Sequence, residues 1–205
     1  MKAIIPTGGR GTRMRPLTFS TNKHFIPLAN KPLIFYPIET VANAGIKEIA
    51  LTYNPEGLEE TKSILGDGSR WGLKFEFVLQ EEPKGLANIF QVCEEYLAGS
   101  SFVMHLGDNI FVDGISDLVN HFEKNKPDGL VAMVHHKENT RLGVPYFDKD
   151  GHLIDTKSDE LECFTAILPH DEQAFRSRTV ADKPQSAYVT HKVFVRSARD
   201  AQAWP

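Results

Sequence analysis

Only two cysteines occur in the 205 residues. Cys93 lies in a helical pattern and Cys163 in a polar stretch, with no metal-ligand spacing between them. Neither a zinc site nor a disulfide framework is expected, and a reducing cytoplasm suits both thiols. No run of 18 apolar residues occurs, and Met1-Lys2 leads straight into a strand-like segment without a signal-type apolar core, so neither export nor membrane insertion is expected. There is no excess of positive charge: 23 Lys and Arg against 27 Asp and Glu give a net charge of -4, which argues against a nucleic-acid partner. Internal repeats, low-complexity tracts and linkers are absent as well. Hydrophobic residues at 41% and charged residues at 24% are ordinary for a folded globular chain, and the length suits one domain over residues 1–205 with a substantial core.

The positive charge that is present concentrates near the N-terminus. Residues 3 to 27 begin as a short apolar run and change character at Gly8, Gly9 and Gly11, among which and after which come Arg10, Arg13, Arg15 and Lys23. Glycines let a ligand lie against the main chain, and guanidinium and ammonium groups supply countercharge, so the combination suits a polyphosphate. Two familiar phosphate motifs fail here. The loop lacks the Gly-Lys-Ser/Thr ending of a P-loop, and Met14 stands where the dinucleotide fingerprint needs its third glycine. What remains is a glycine loop after a first strand, the place where ligands bind in open α/β sheets.

The periodicity beyond the loop predicts alternating strands and helices. Strands are expected at 2–5, 46–53, 73–79, 102–106, 130–134, 143–147, 152–154 and 188–195. Helices are expected at 32–44, with Pro32 in the first turn and Gly45 at the stop, and at 56–65, 85–98 and 115–124. Residues 157–179 show no sustained period. The pattern reads as an α/β protein, a Rossmann-like α/β/α sandwich with a mainly parallel (mixed) central sheet.

Several separated motifs then carry a resemblance. Gly8-Gly9-Arg10-Gly11-Thr12-Arg13-Met14-Arg15-Pro16-Leu17-Thr18, with Lys23, Pro27 and the run Lys31 to Tyr36, is similar to the signature of sugar-1-phosphate nucleotidyltransferases. The stretches Leu65 to Gly72, Gln80 to Ala87 and Leu106-Gly107-Asp108-Asn109 resemble the glucose-1-phosphate thymidylyltransferases among them. The similarity covers residues 2 to 155. It implies the nucleotide-diphospho-sugar transferase fold, with a nucleotide-binding core over 1–156 and a divergent sugar-binding part over 157–205.

The resemblance also implies roles. Gly8, Gly9, Gly11 and Thr12 would line the nucleotide, Arg13 would grip its triphosphate, and Lys23 would hold phosphate at the reacting centre. Gln80 and Gly85 match base-recognising positions, Asp108 a Mg²⁺ ligand, and Gly143, Asp182 and Lys183 sugar-phosphate contacts. The implied substrates are dTTP or UTP and a sugar 1-phosphate, the products a sugar nucleotide and pyrophosphate, and the assembly a possible homo-oligomer. No serine or cysteine nucleophile is expected, because the attacking phosphate monoester, with a second pKa near ~6, is already anionic at neutral pH.

The chain departs from the family pattern at several points. Pro6-Thr7 replaces Leu-Ala before the glycines, and Lys23-His24 replaces Lys-Gln, which sets a titratable ring beside the phosphates. The Glu-Lys-Pro motif appears only as the displaced Asp182-Lys183-Pro184. A second metal carboxylate aligns with Ser197 or Arg196, with Asp200 nearby as a substitute, and the sequence stops well short of typical members. These departures support a second expectation, a homologue that binds nucleotide or sugar nucleotide without turning it over. Other readings are structural: Arg10 and Arg15 as solvated charges, Cys93 as core, and His135-His136 as strand neighbours that point to opposite sides.

Overall fold

The computed structural model describes residues 1–9, 11–82, 84–127, 129–135, 144–147, 153–157 and 188–196. The strands are β1 (Lys2–Pro6), β2 (Pro27–Leu28), β3 (Lys31–Pro32), β4 (Glu48–Tyr53), β5 (Lys74–Leu79), β6 (Phe102–His105), β7 (Gly129–His135), β8 (Val144–Phe147), β9 (Leu153–Lys157) and β10 (Tyr188–Arg196). The helices are α1 (Phe35–Asn43), α2 (Leu58–Leu65), α3 (Leu86–Val92), α4 (Glu94–Leu97) and α5 (Ser116–Asn125). Six strands form one sheet in the order β5-β4-β1-β6-β10-β7. The first four run parallel, and β10 is antiparallel to both neighbours, so the sheet is mainly parallel but mixed, as its pattern predicts.

Burial explains why these segments become strands. Ala3-Ile4-Ile5 and Ile49-Ala50-Leu51 are fully buried without alternation, the pattern of parallel strands covered on both faces. Ala3, Ile5, Leu51 and Val103 pack with Ile38 and Val41 of α1, Leu65 of α2 and Val119 and Phe122 of α5. Ile4, Ala50 and Met104 face the other way, onto Ile89 and Phe90 of α3 and Leu97 of α4. The result is three layers, helix, sheet and helix. No helix among the described residues is long and apolar enough to cross a membrane.

Two expected helices differ in extent. The first starts at Phe35 because Pro32 belongs to β3, paired with Pro27 of β2, and because the Leu33 and Ile34 amides donate to the Ile26 and His24 carbonyls at 3.0 and 2.8 Å. Those amides are satisfied outside a helix, so the helix begins after them. Its stop is as expected, Gly45 having φ 84°. The helix expected over 85–98 is divided at Cys93, whose φ of −94° and ψ of 3° slacken one turn between α3 and α4. Cys93 itself is fully buried, and burial pushes its thiol pKa up to about 12, in keeping with a core role.

Candidate functional site

The strand order has a consequence for chemistry. The chain leaves β1 toward β4 and β5 on one side and returns through α3 and α4 to β6 on the other, so β1 and β6 flank the point where the order reverses. In open α/β sheets that crevice, outside the carboxyl ends of the strands, is where ligands lie. Here it is walled by the glycine loop after β1 and by Gly107-Asp108 after β6.

The loop after β1 is held by side chains bonding to main chain. Gly11 has φ 59°, a left-handed conformation, and a Cβ there would stand 2.8 Å from Thr18 Cγ2 and 3.0 Å from Lys23 Cβ. Thr18 Oγ1 donates to the Gly11 carbonyl at 2.8 Å, and the Met14 amide donates to the same carbonyl at 2.9 Å, closing the single helical turn Thr12–Met14. That turn presents Thr12 and Arg13 on the exposed side of the loop. Asn22 caps the next turn, Lys23–Phe25: its Oδ1 accepts from the His24 amide at 3.0 Å while its Nδ2 donates to the Thr7 carbonyl at 2.7 Å.

This cap aims Lys23 across the crevice. Its stem runs against Gly9, where a Cβ would stand 3.2 Å from Lys23 Cε, and its ammonium donates to Asp108 Oδ2 at 2.7 Å. Both side chains keep partial contact with solvent, 23% for Lys23 and 36% for Asp108. Burial alone would raise the Asp108 pKa, but the adjacent Lys23 ammonium outweighs it and holds the carboxyl below its usual range. The site therefore pairs a cation with an ionised carboxylate at neutral pH.

His24, expected as a titratable ring beside the phosphates, is buried next to that pair. It is 2% exposed, its Nδ1 is 2.7 Å from Asn22 Oδ1, and its ring edge fills the space beside Gly107. A Cβ at position 107 would stand 2.7 Å from His24 Cδ2 and 2.8 Å from the Pro6 carbonyl oxygen. Burial first, and the Lys23 charge second, lower the His24 pKa to about 3, so the ring stays neutral. It is a spacer between the ends of β1 and β6.

Toward the other edge of the sheet, Gln80 follows β5 and Asn54 follows β4. Gln80 is 3% exposed, and its backbone N–H donates to the Tyr53 carbonyl at 2.8 Å. Its Oε1 and Asn54 Oδ1 stand 2.7 and 2.8 Å from the place of a Gly8 Cβ, so only glycine leaves room for both. Gly85 begins α3 with φ 87° and ψ −177°, and nothing lies within 4 Å of its Cβ position; its backbone conformation, not crowding, calls for glycine.

A model of the nucleotidyl transferase family matches residues 2–157. The chain belongs to this nucleotidyl transferase family. It is 37% identical over 155 residues to a glucose-1-phosphate thymidylyltransferase from Streptomyces antibioticus, a match over 75% of this chain and 43% of that protein. It is 41% identical over 154 residues to the enzyme of that name from an Actinoplanes species, over 75% of this chain and 51% of that one. A low-salt glycan biosynthesis nucleotidyltransferase, Agl11 of Haloferax volcanii, is 35% identical over 153 residues, 75% of this chain and 43% of its own. Among solved structures, a Bacillus anthracis protein assigned as a glucose-1-phosphate thymidylyltransferase, in complex with a sucrose, superposes with a TM-score of 0.81 at 25% identity, covering 100% of this chain and 76% of its own. UDP-glucose pyrophosphorylase complexed with UDP-glucose, at 19% identity and a TM-score of 0.70 over 96% of this chain and 75% of its own, shares the fold. The chain spans 43 to 62% of the length of such relatives in sequence.

For a nucleotidyl transferase chain, the placement of the expected residues is informative. Gly8, Gly9, Gly11, Thr12, Arg13, Lys23, Gln80 and Asp108 all stand at the carboxyl ends of the parallel strands or on the loop after β1, and Gly85 opens the helix that follows β5. Gly143, Asp182 and Lys183 lie outside the described residues, as do Arg10, Ser197 and Asp200. Arg15 stacks on Phe19 with its guanidinium 5.1 Å from the ring centroid, a solvent-side contact. Arg196, one of the two positions that align with a second metal carboxylate, pairs with Phe102, at the opposite end of β6 from Asp108. Asn22, Asn54 and Asn88 were not among the expected site residues. An asparagine directly before a short turn is a cap signal, which could have marked Asn22.

The donor set also bears on the implied metal. Mg²⁺ keeps several waters and is commonly bound by one or two carboxylates together with substrate phosphates. Asp108, a partly exposed and ionised carboxylate facing the crevice, fits such a shared site. No group of three or more acidic, histidine or cysteine side chains suited to a dedicated metal cage occurs among the described residues.

Proposed function

We propose that this chain transfers a nucleotidyl group from dTTP or UTP to a sugar 1-phosphate, most simply glucose 1-phosphate, releasing pyrophosphate. The observation that carries the reading is the Lys23–Asp108 pair, 2.7 Å apart, at the crevice between β1 and β6 and directly under the glycine loop. A triphosphate laid along Gly8, Gly9 and Gly11 brings its α-phosphorus to this pair. Lys23 then shares its ammonium between Asp108 and phosphate oxygens, and Arg13 on the adjoining turn meets the outer phosphates.

The chemistry asks little of proton transfer. One oxygen of the anionic sugar phosphate forms a bond to the α-phosphorus. The bond from that phosphorus to the bridging oxygen breaks, and its electron pair leaves with pyrophosphate. Positioning and charge neutralisation are the main tasks. Asp108 would hold Mg²⁺, which when bound offsets negative charge on the transferring phosphate. His24 keeps the floor of the crevice neutral, adding no charge that would compete with Lys23.

The test combines the purified protein with Mg²⁺, glucose 1-phosphate and either dTTP or UTP, and follows pyrophosphate release. Release that falls by about 100-fold or more in Lys23→Ala supports the assignment. Absence of release across several sugar phosphates overturns it. A second reading, binding without turnover, is favoured by the sequence departures: the second metal carboxylate aligns with Ser197 or Arg196, and Arg196 pairs with Phe102 at the end of β6 remote from Asp108. Calorimetric binding of dTTP or a sugar nucleotide without pyrophosphate release would select it.

A further inference from the structure

The corner of the crevice at the end of β5 is built from amides, and their order has a direction. Gln80 Nε2 donates to Asn88 Oδ1 at 3.0 Å, and Asn88 Nδ2 donates to Gln91 Oε1 at 3.3 Å. The donors run outward from Gln80 through Asn88 of α3 to Gln91 on the helix surface. Nε2 is thus turned toward the helix, and Oε1 is turned toward Gly8, 2.7 Å from its Cβ position. Asn54 Oδ1 converges on the same glycine at 2.8 Å and is buried without a hydrogen-bond partner. The crevice end of Gln80 is therefore an acceptor.

We propose that Asn88 is a positioning residue for base selection: by holding Gln80 Nε2 it fixes Gln80 Oε1 as an acceptor, so the site takes bases that present a ring N–H. The inference rests on the reading of Gln80 as the residue that meets the base. Thymine and uracil carry a hydrogen on N3, which Oε1 accepts. Cytosine in the same pose presents a lone pair at N3, and lone pair then faces lone pair. Gln80 could accommodate cytosine by turning its amide over, offering Nε2 instead. That turn would set Oε1 against Asn88 Oδ1 at hydrogen-bond distance, so Asn88 and Gln91 would have to turn with it, breaking both bonds of the relay in a corner where Gln80 is 3% exposed. Asn88 touches no substrate in this scheme; it acts through Gln80.

The experiment measures Kd for dTTP, UTP and dCTP with the full chain and Mg²⁺ by calorimetry, in the wild type, Asn88→Ala, Asn88→Ser and Asn88→Asp. Alanine and the short serine hydroxyl release Gln80, and the ratio of dCTP to dTTP dissociation constants is expected to fall about 10-fold or more, chiefly by tighter dCTP binding. Aspartate still accepts from Nε2, so Asn88→Asp should keep the wild-type ratio. If Asn88→Ala fails to fold, Asn88→Ser carries the test. A purely structural role for Asn88 would weaken all three nucleotides alike and leave the ratio unchanged, and that result overturns the inference. A wild-type protein that binds neither dTTP nor UTP overturns the proposed function instead, which keeps the two failures distinct.

Discussion

Acidification should destabilise this fold through one histidine before it reaches the carboxylates. The His24 pKa is lowered from 6.5 to about 3, first by burial and second by the Lys23 ammonium, while the Asp108 carboxylate and the Thr7 carbonyl oppose the shift incompletely. The unfolded chain takes up this proton near pH 6.5 and the folded chain only near pH 3. Between those values the unfolded state binds one more proton, so stability rises with pH across the window and is lost as pH falls through it. The slope for one such group is about 1.4 kcal/mol per pH unit, so pH 5 should cost about 2 kcal/mol relative to neutral pH. His105, buried on β6 with its pKa also lowered by burial, adds in the same direction. Urea unfolding followed by circular dichroism at pH 7, 6 and 5 measures the total. His24→Asn places an amide nitrogen near the position of Nδ1, retains the bond to Asn22 and removes the titration. Its stability should fall less steeply with acid than the wild type's, by about one histidine's slope. Parallel slopes for the two proteins, or the His24 imidazole seen by NMR to titrate near pH 6.5 in the folded state, would refute the reasoning.

Three further outcomes follow from the same geometry. Gly107→Ala places a Cβ 2.7 Å from His24 and 2.8 Å from the Pro6 carbonyl, and thermal melts should show a loss of about 1–3 kcal/mol. In a His24→Ala background the loss should shrink but persist, because the Pro6 carbonyl remains, and equal losses would show that the ring does not press on residue 107. Gly85→Ala meets no neighbour within 4 Å, yet φ 87° with ψ −177° should still cost about 1–3 kcal/mol in denaturant unfolding. Asp108→Asn breaks an ion pair whose members are 23% and 36% exposed, so melting should change by no more than about 1 kcal/mol while pyrophosphate release falls about 100-fold or more. A large stability loss in that variant would mean that the pair serves the fold.

The sheet was legible in the sequence because its central strands are buried on both faces. Runs such as Ala3-Ile4-Ile5 and Ile49-Ala50-Leu51, short, rich in isoleucine and bounded by glycine or proline, read as interior parallel strands. The segment from Thr12 to Pro32 was illegible for the opposite reason. Its shape comes from single hydrogen bonds between residues distant in sequence, such as Asn22 to Thr7 and Thr18 to Gly11, and these leave no period to detect. The same cause moved the start of α1 to Phe35, since the amides of Leu33 and Ile34 are engaged by residues 26 and 24. The resemblance singled out Lys23 and Asp108, and the structure sets them 2.7 Å apart at one crevice. Motif spacing could not show that His24 is buried, because the space His24 fills is made by Gly107, a residue remote in sequence.

Strand order then decides what kind of ligand the crevice can take. The ends of β5, β4, β1 and β6 stand side by side, and three spacings of about 4.8 Å separate the outer two by roughly 14 Å. Uncharged acceptors, Gln80 Oε1 and Asn54 Oδ1, occupy the β5 and β4 end, while Lys23 and Asp108 occupy the β6 end. Gly8 lies between them, and any side chain there would collide with both amides and divide the strip. Inorganic phosphate would use only the charged end, and a free base only the amide end. A nucleotide has the required polarity along its length, with a hydrogen-bonding edge at one end and anionic oxygens at the other. On the proposed function the glycine loop does more than approach phosphate: by leaving the middle of the strip open, it joins the neutral amide end to the charged end where phosphate would react.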